Sequence, residues 1–282
     1  MRYVIMLICC LGLVSCNSNS QEKNDTTETT KAIPTTAMEP KIAFADNPVI
    51  AHRGAWKAKG LPKNSIAALK EAIDLKCTGS EFDVRMTSDE VLIVTHDGDF
   101  GGLVIDSTTY EELAKHKLPN GETLPTLKDF IKAGMTNNSS TGLVCEIKPS
   151  KIEGRNKLMA EKTVALVKEL KAEAYVSYYI SFSYELIKRI KEINAEAKVL
   201  YLDGSKTPQE LKNDNITGLD YLVWKLRQKP EWITEAKDLG LKLNAWTANK
   251  QEDIDWLLAQ DFDYITTDEP ELAFERFKAT SN

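Results

Sequence analysis

The 282-residue sequence predicts an α/β fold, a (β/α)8 barrel with a small insertion after the second strand region. Three observations carry this prediction. From residue 49 onward, short β-rich runs alternate with amphipathic stretches, the order that builds a parallel sheet covered by helices. Both kinds of element number eight, as in a closed barrel. No glycine-rich phosphate fingerprint follows the first strand, which disfavours the open doubly wound sheet that the same alternation allows.

Strands are expected at 49–54, 79–86, 143–149, 175–181, 198–202, 221–226, 242–247 and 263–267. They are rich in β-branched and aromatic residues, and turn formers bound them. Helices are expected at 65–77, 127–135, 157–172, 184–193, 209–213, 231–239, 252–260 and 272–278. Asn64, Ser183 and Thr207 or Pro208 are the expected starts, since these residue types suit helix N-termini. The period breaks once. Residues 91–95 continue the second strand region after Ser88-Asp89-Glu90, and residues 98–125 then carry Gly101-Gly102, Pro119-Asn120-Gly121 and a short helix near Glu111. Barrel sites sit where strands run into loops at the C-terminal face, so such an insertion would roof the site.

The first forty residues belong to something else. Arg2 precedes an apolar or small stretch from Tyr3 to Ser15, the order of an export signal and too short for a permanent span. Leu13-Val14-Ser15-Cys16 resembles the bacterial lipobox, which implies lipidation of Cys16 and a lipid-anchored place in a bacterial cell envelope. An ordinary signal-peptidase cut that leaves Cys16 unmodified is the alternative. Residues 17–40 hold six threonines and few large apolar groups, the composition of a flexible tether reaching roughly 25–30 Å. The expected organisation is therefore a signal at 1–16, a tether at 17–40 and one barrel domain at 41–282.

A composition of 42% hydrophobic and 28% charged residues describes a soluble globular chain and excludes collagen-like, coiled-coil and wholly disordered classes. With a net charge of −6, no nucleic-acid partner is expected, and any phosphate-bearing ligand needs local positive charge. Cys77 and Cys145 lie in apolar contexts and are expected as buried thiols, with a single bridge as the alternative.

Chemistry collects at the expected strand ends. The first strand finishes in His52-Arg53-Gly54, placing an imidazole that can move protons beside a guanidinium suited to phosphate or carboxylate. By itself this tripeptide also fits a surface pair. Glu81-Phe82-Asp83 puts two carboxylates on one face of the second strand. Held inside a barrel they need a compensating cation, whereas an outward placement would turn Phe82 and Val84 to the interior. Glu146-Ile147-Lys148 repeats the device on the third strand. Three carboxylates without a cysteine or histidine cluster favour an oxygen-ligated divalent metal, Mg2+ or Ca2+ with Mn2+ also compatible, over zinc. His96-Asp97 brings a second imidazole to the same rim. Two histidines, a metal and two cations suit phosphodiester cleavage, one histidine activating a nucleophile and the other protonating the leaving oxygen.

Eight pieces in this order resemble the glycerophosphodiester phosphodiesterase family: His52-Arg53-Gly54, Pro62-x-Asn64-Ser65, Glu81-x-Asp83, His96-Asp97, Leu124-Pro125-Thr126-Leu127, Glu146-Ile147-Lys148, Ala245-Trp246-Thr247 and Ile265-Thr266-Thr267-Asp268. The resemblance spans about residues 48–275. It implies a TIM barrel that hydrolyses a small-molecule glycerophosphodiester to an alcohol and glycerol 3-phosphate, generally with a divalent metal. Carried onto this sequence, it implies His52 and His96 as the acid/base pair and Glu81, Asp83 and Glu146 as metal ligands. Arg53 and Lys148 would be phosphate contacts, with Trp246 lining the substrate pocket. Phospholipase-like cleavage of lipid phosphodiesters, or a binding lipoprotein without turnover, are the alternatives.

One position departs from the family, which usually has Pro-Glu-Asn where this sequence has Pro62-Lys63-Asn64. The reversed charge would weaken phosphate positioning or, with Lys57 and Lys59, form a basic mouth for a more anionic head group; alternatively all three lysines are solvated. His116 is expected at the surface, and Trp224, Trp232 and Trp256 in the core. Tyr179 and Phe182 fit either pocket or core.

Overall fold

The predicted alternation closes on itself. The structure, a computed structural model, describes residues 42–280; the signal, the Cys16 lipidation site and the tether assigned to residues 1–40 lie outside the described residues. In chain order the elements are β1 (Val49–Ala51), α1 (Ile66–Asp74), β2 (Gly79–Met86), β3 (Leu92–Val94), β4 (Asp99–Phe100), β5 (Leu103–Val104), α2 (Tyr110–Leu113) and α3 (Leu127–Met135). Then come β6 (Gly142–Ile147), α4 (Arg155–Glu169), β7 (Val176–Ser181), α5 (Tyr184–Ile193), β8 (Val199–Tyr201), α6 (Pro208–Asn213), β9 (Gly218–Leu222) and α7 (Val223–Gln228). The chain finishes with α8 (Pro230–Asp238), β10 (Lys242–Trp246), α9 (Gln251–Ala259), β11 (Tyr264–Thr267) and α10 (Pro270–Thr280). Strands β1, β2 and β6 to β11 pair in parallel, and β1 joins both β11 and β2, which closes the eight-stranded barrel. The insertion lies where the period breaks: β3 adds antiparallel to β2, α2 is the short helix expected near Glu111, and β4 and β5 form a separate hairpin beyond the expected elements.

Side chains alternate across the barrel wall. On β2, Phe82 faces outward and packs on Phe130 of α3 with ring centroids 4.6 Å apart, which sends Glu81 and Asp83 inward. Most of the core lies between strands and helices. A smaller apolar cluster of Ile50, Val144, Tyr178, Ile180, Leu200 and Leu202 fills the barrel interior. Cys77 and Cys145 are buried free thiols.

Four expectations need correction. The sixth strand is Gly218–Leu222, not 221–226, and residues 223–228 form α7. The β-rich run from Tyr221 masked the true start, which a glycine marks: a Cβ on Gly218 would lie 2.1 Å from the backbone oxygen of Lys242, its partner on β10. Trp224 is consequently on a helix surface and 55% exposed, whereas Trp232 and Trp256 pack against the core. The first strand stops at Ala51, because Arg53 and Gly54 adopt left-handed φ values of 57° and 81°. A Cβ on Gly54 would meet the backbone of Ala68 at 2.6 Å, so α1 packs directly on this turn. Finally, Asn64 does not start α1. Ser65 is the N-cap, accepting from the Ala68 N–H at 3.0 Å, and Glu122 of the insertion accepts from the N–H groups of Ile66 and Ala67.

Replacing Gly218 with alanine is expected to destabilise the protein by about 2–3 kcal/mol, seen as a lower urea midpoint at unchanged m value. Gly98→Ala, at a position with open space around it, is the control and should stay within about 0.5 kcal/mol.

Candidate active site

Glu81 and Asp83 on β2 meet Glu146 on β6, where Asp83 and Glu146 are register partners. Carboxylate oxygens of the three lie within 4.8 Å of one another, and all three residues are buried. Asp83 is the best satisfied. Its Oδ2 accepts from Asn64 Nδ2 at 2.8 Å and lies 3.4 Å from Arg53 Nε, its Oδ1 is 3.3 Å from Lys148 Nζ, and its N–H donates to Asn64 Oδ1 at 3.1 Å. Asn64 uses a left-handed φ of 60° to reach it. Glu146 Oε1 is 2.7 Å from Lys148 Nζ. Glu81 Oε2 accepts the Arg53 N–H at 2.8 Å, which the left-handed turn points inward, while Oε1 is buried with no hydrogen-bond partner among the described residues.

The electrostatics follow from this crowding. Burial, then Asp83 and Glu146, push Glu81 well above the ordinary carboxylate range. Burial and Asp83 push Glu146 up to about 7 against the opposing pull of Lys148. Burial acts upward on Asp83 too, but Lys148, Asn64 and Arg53 outweigh it and hold Asp83 low. For Lys148, burial acts downward and is outweighed by Glu146 and Asp83, which hold the ammonium charged. A buried, all-oxygen donor set with an unpartnered carboxylate oxygen fits a hard divalent cation.

The histidines stand at the same rim. His52 Nδ1 is 2.8 Å from Asp268 Oδ1, and its Nε2 is turned toward Glu81 at 4.0 Å. Asp268 also accepts from Trp56 Nε1 at 3.1 Å and Asn249 Nδ2 at 2.7 Å, and its own N–H donates to Asn249 Oδ1. Burial acts upward on Asp268, but His52, Asn249 and Trp56 hold it well below the usual aspartate range. An ionised aspartate on Nδ1 keeps the proton there and leaves the lone pair on Nε2. His96 Nδ1 is 2.8 Å from Oδ1 of the exposed Asp97, and Arg85 Nε donates to the His96 carbonyl at 2.8 Å, pinning the turn after β3. Burial pushes the His96 imidazole down, against the upward effect of Asp97.

Between these groups lies a cavity of about 170 Å³. One wall is charged, formed by His52, Arg53, Glu81, His96, Glu146 and Lys148; the other is apolar, formed by Ile180, Phe182, Leu202 and Trp246, with Thr266 also lining the space. Asp83 is buried behind the charged wall. Trp246 donates its indole N–H to the Asp220 carbonyl at 2.9 Å and stands edge-on to Phe182. Tyr179 packs in the outer core instead, and His116 packs edge-on to Phe100 in the insertion. Of the three lysines in the first loop, Lys57 pairs with Glu269 and Lys59 with Glu71, while Lys63 sits 4.4 Å over the Trp56 ring. All eight expected site residues in the described part thus converge. Those without a role from sequence are Asp268, Asn249, Asn64 and Thr266; Asp268 directly follows the eighth strand, a position that marks the catalytic rim.

Glu146 also gives the site a pH signature in chelator-treated protein. Its folded pKa of about 7 lies above the unfolded value of about 4.3, so the stability it contributes is complete below the lower value and lost as pH rises through the upper. Relative to Glu146→Gln, the parent is expected to lose on the order of 1–3 kcal/mol between about pH 4 and pH 8. Parallel stability profiles of the two proteins would contradict this.

Residues 52–272 match the family model for the glycerophosphoryl diester phosphodiesterase family. The chain is 29% identical over 238 residues to the glycerophosphodiester phosphodiesterase of Caldanaerobacter subterraneus subsp. tengcongensis, spanning 79% of this chain and 94% of that one. A crystal structure of a glycerophosphodiester phosphodiesterase from Parabacteroides distasonis is similar with a TM-score of 0.81 at 37% identity, covering 85% of this chain and 100% of that one. A phosphodiesterase from Oleispira antarctica, solved with the product sn-glycerol-3-phosphate, shares the fold with a TM-score of 0.69 at 23% identity, over 83% of this chain and 96% of that one. With the closed barrel and the converging site already in place, the match over most of its length shows that the chain belongs to the glycerophosphoryl diester phosphodiesterase family, a family of phosphoric diester hydrolases with the TIM-barrel fold.

Proposed function

We propose that the protein hydrolyses glycerophosphodiesters to an alcohol and glycerol 3-phosphate, using His52 and His96 as the acid/base pair and a divalent cation held by Glu81, Asp83 and Glu146. The observation that carries this reading is one small cavity faced by two histidines and a buried carboxylate cluster, with an unpartnered oxygen on Glu81. The all-oxygen donors favour Mg2+ or Ca2+, with Mn2+ also suited. When bound, such an ion supplies Lewis-acid stabilisation of charge on a phosphoryl oxygen.

The chain's own groups do the rest. His52, its Nδ1 proton held by Asp268, offers Nε2 to take a proton from the attacking hydroxyl. His96, after β3 at the same rim, gives a proton to the alkoxide as the phosphorus–oxygen bond breaks. Arg53 and Lys148 offset negative charge on the non-bridging oxygens. The attacking hydroxyl is either water or a neighbouring hydroxyl of the substrate; the second route gives a cyclic phosphate that the same histidines reopen. Trp246 and Phe182 offer an apolar face to the carbon skeleton. The small cavity, lined on one side by charged groups, favours a deacylated diester over an intact diacyl lipid. The oriented His52–Asp268 pair favours turnover over binding alone.

The Leu13-Val14-Ser15-Cys16 run supports a lipid-anchored protein of a bacterial cell envelope, with residues 17–40 as tether and residues 41–282 as the catalytic domain. Palmitate labelling that disappears in Cys16→Ser tests this placement.

Purified protein with Mg2+, Ca2+ or Mn2+ is expected to release glycerol 3-phosphate from at least one of glycerophosphocholine, -ethanolamine and -inositol, and to stop on chelation. No release under any of these conditions would refute the reading. His52→Ala and His96→Ala should each lower kcat by about 100-fold or more. Asp268→Asn should lower kcat by a similar factor with little change in KM, because it frees the imidazole to take the wrong tautomer.

A further inference from the structure

We propose that Thr266 contacts the substrate and recognises the terminal hydroxyl of its glycerol moiety, with Asn244 as the residue that positions the Thr266 hydroxyl. The inference rests on the glycerophosphodiester reading and adds a specificity determinant to the same cavity.

Asp220, Asn244 and Thr266 lie on the adjacent strands β9, β10 and β11, and all three are at most 3% exposed. Polar side chains buried in this layer carry a desolvation cost that aliphatic residues would avoid, so their hydrogen bonds need an accounting. Asn244 donates Nδ2–H to Thr266 Oγ1 at 2.9 Å, while Asp220, its register partner, has a buried Oδ1 without a hydrogen-bond partner among the described residues. Asn244 Oδ1 accepts the Ala245 N–H at 2.9 Å. The amide is therefore oriented, oxygen toward the Ala245 N–H and nitrogen toward Thr266. That arrangement makes Thr266 Oγ1 an acceptor from Asn244 and leaves its own proton to be placed. At rest the proton lies toward Asn244 Oδ1 across the longer contact of 3.2 Å, and rotation about the Cβ–Oγ1 bond turns it toward a ligand oxygen.

The cavity gives this donor a particular task. Thr266 carries the only hydroxyl among the described residues that line it. The remaining polar lining groups are charged or imidazole, suited to phosphate and cation, and the Trp246 N–H is already engaged by the Asp220 carbonyl. Thr266 is the register partner of Ile50, two residues before His52, so it lies one inward-facing step, about 6–7 Å, below the histidine. A phosphorus atom held at the rim between His52 and His96 sends the far end of a three-carbon polyol to this depth. There the carbons meet Leu202 and Trp246, and the terminal hydroxyl meets Thr266.

The test compares kcat/KM for glycerophosphocholine and for propane-1,2-diol phosphocholine, which lacks only the terminal hydroxyl and keeps the one beside the phosphate ester. The parent should prefer glycerophosphocholine, and Thr266→Val should shrink that preference by roughly tenfold. Thr266→Ser, which keeps the donor, should retain the preference, and Asn244→Ala should shrink it in the same direction as Thr266→Val. Thr266→Ala serves as the second hydroxyl deletion should the valine pack badly. An unchanged preference in the hydroxyl-deleted variants, with the parent turning over glycerophosphocholine, would overturn the Thr266 assignment alone. A parent that turns over neither substrate would overturn this inference together with the glycerophosphodiester reading.

Discussion

Three carboxylates gathered within 4.8 Å inside a barrel set the terms for everything around them. At an effective dielectric of about 20, two unit charges some 4 Å apart repel by about 4 kcal/mol, and this cluster contains three such pairs. Lys148 and Arg53 bring two positive charges, so full ionisation leaves one negative charge in excess. The protein has two ways to relieve it. One is protonation, which the upward displacement of Glu81 and Glu146 expresses; the other is a divalent cation, which the unpartnered Glu81 oxygen is placed to receive. The proposed reaction, which brings a negatively charged phosphodiester beside these carboxylates, would be served by the second.

The surrounding architecture keeps the cluster from relaxing. β1 closes the barrel between β2 and β11, and the left-handed turn at Arg53 then aims a backbone N–H at Glu81. The same turn packs against α1 through Gly54, leaving no room for movement without disturbing that helix. Asn64 grips Asp83 by side chain and backbone, while Asp268, held by Trp56 and Asn249, sets the imidazole of His52. The insertion is tied in through Glu122, which caps α1 just beyond this turn. Ordinary hydrogen bonds at the rim thus turn a costly charge cluster into a rigid site, the arrangement on which preorganised electrostatic catalysis depends.

Much of this was legible in the sequence because it obeys local periodicities. The parity of Glu81-Phe82-Asp83 in an otherwise buried strand implied inward carboxylates, and strand ends located both histidines. The parts that were not legible depend on contacts across the sheet. Gly218 begins β9 because the neighbouring strand comes too close for a side chain, a fact that only Lys242 reveals, whereas Tyr221 and the residues after it looked more strand-like. Asn64 has the composition of a helix cap and is instead diverted to a carboxylate nineteen residues away. Asp268 acquires its role from His52, 216 residues earlier in the chain. No window along the sequence contains such pairs.

In the proposed reading, the buried carboxylates form a cation site whose charge balance the fold leaves incomplete. The most direct measurement is the melting temperature of chelator-stripped protein titrated with Ca2+ and Mg2+, in the parent and in Glu81→Gln. The expected result is a saturable rise in the parent of several degrees, about 2.7 kcal/mol of stabilisation at one hundred times the dissociation constant, and a greatly reduced rise in the variant. A parent whose melting temperature ignores both ions, or a Glu81→Gln variant that responds as the parent does, would contradict it.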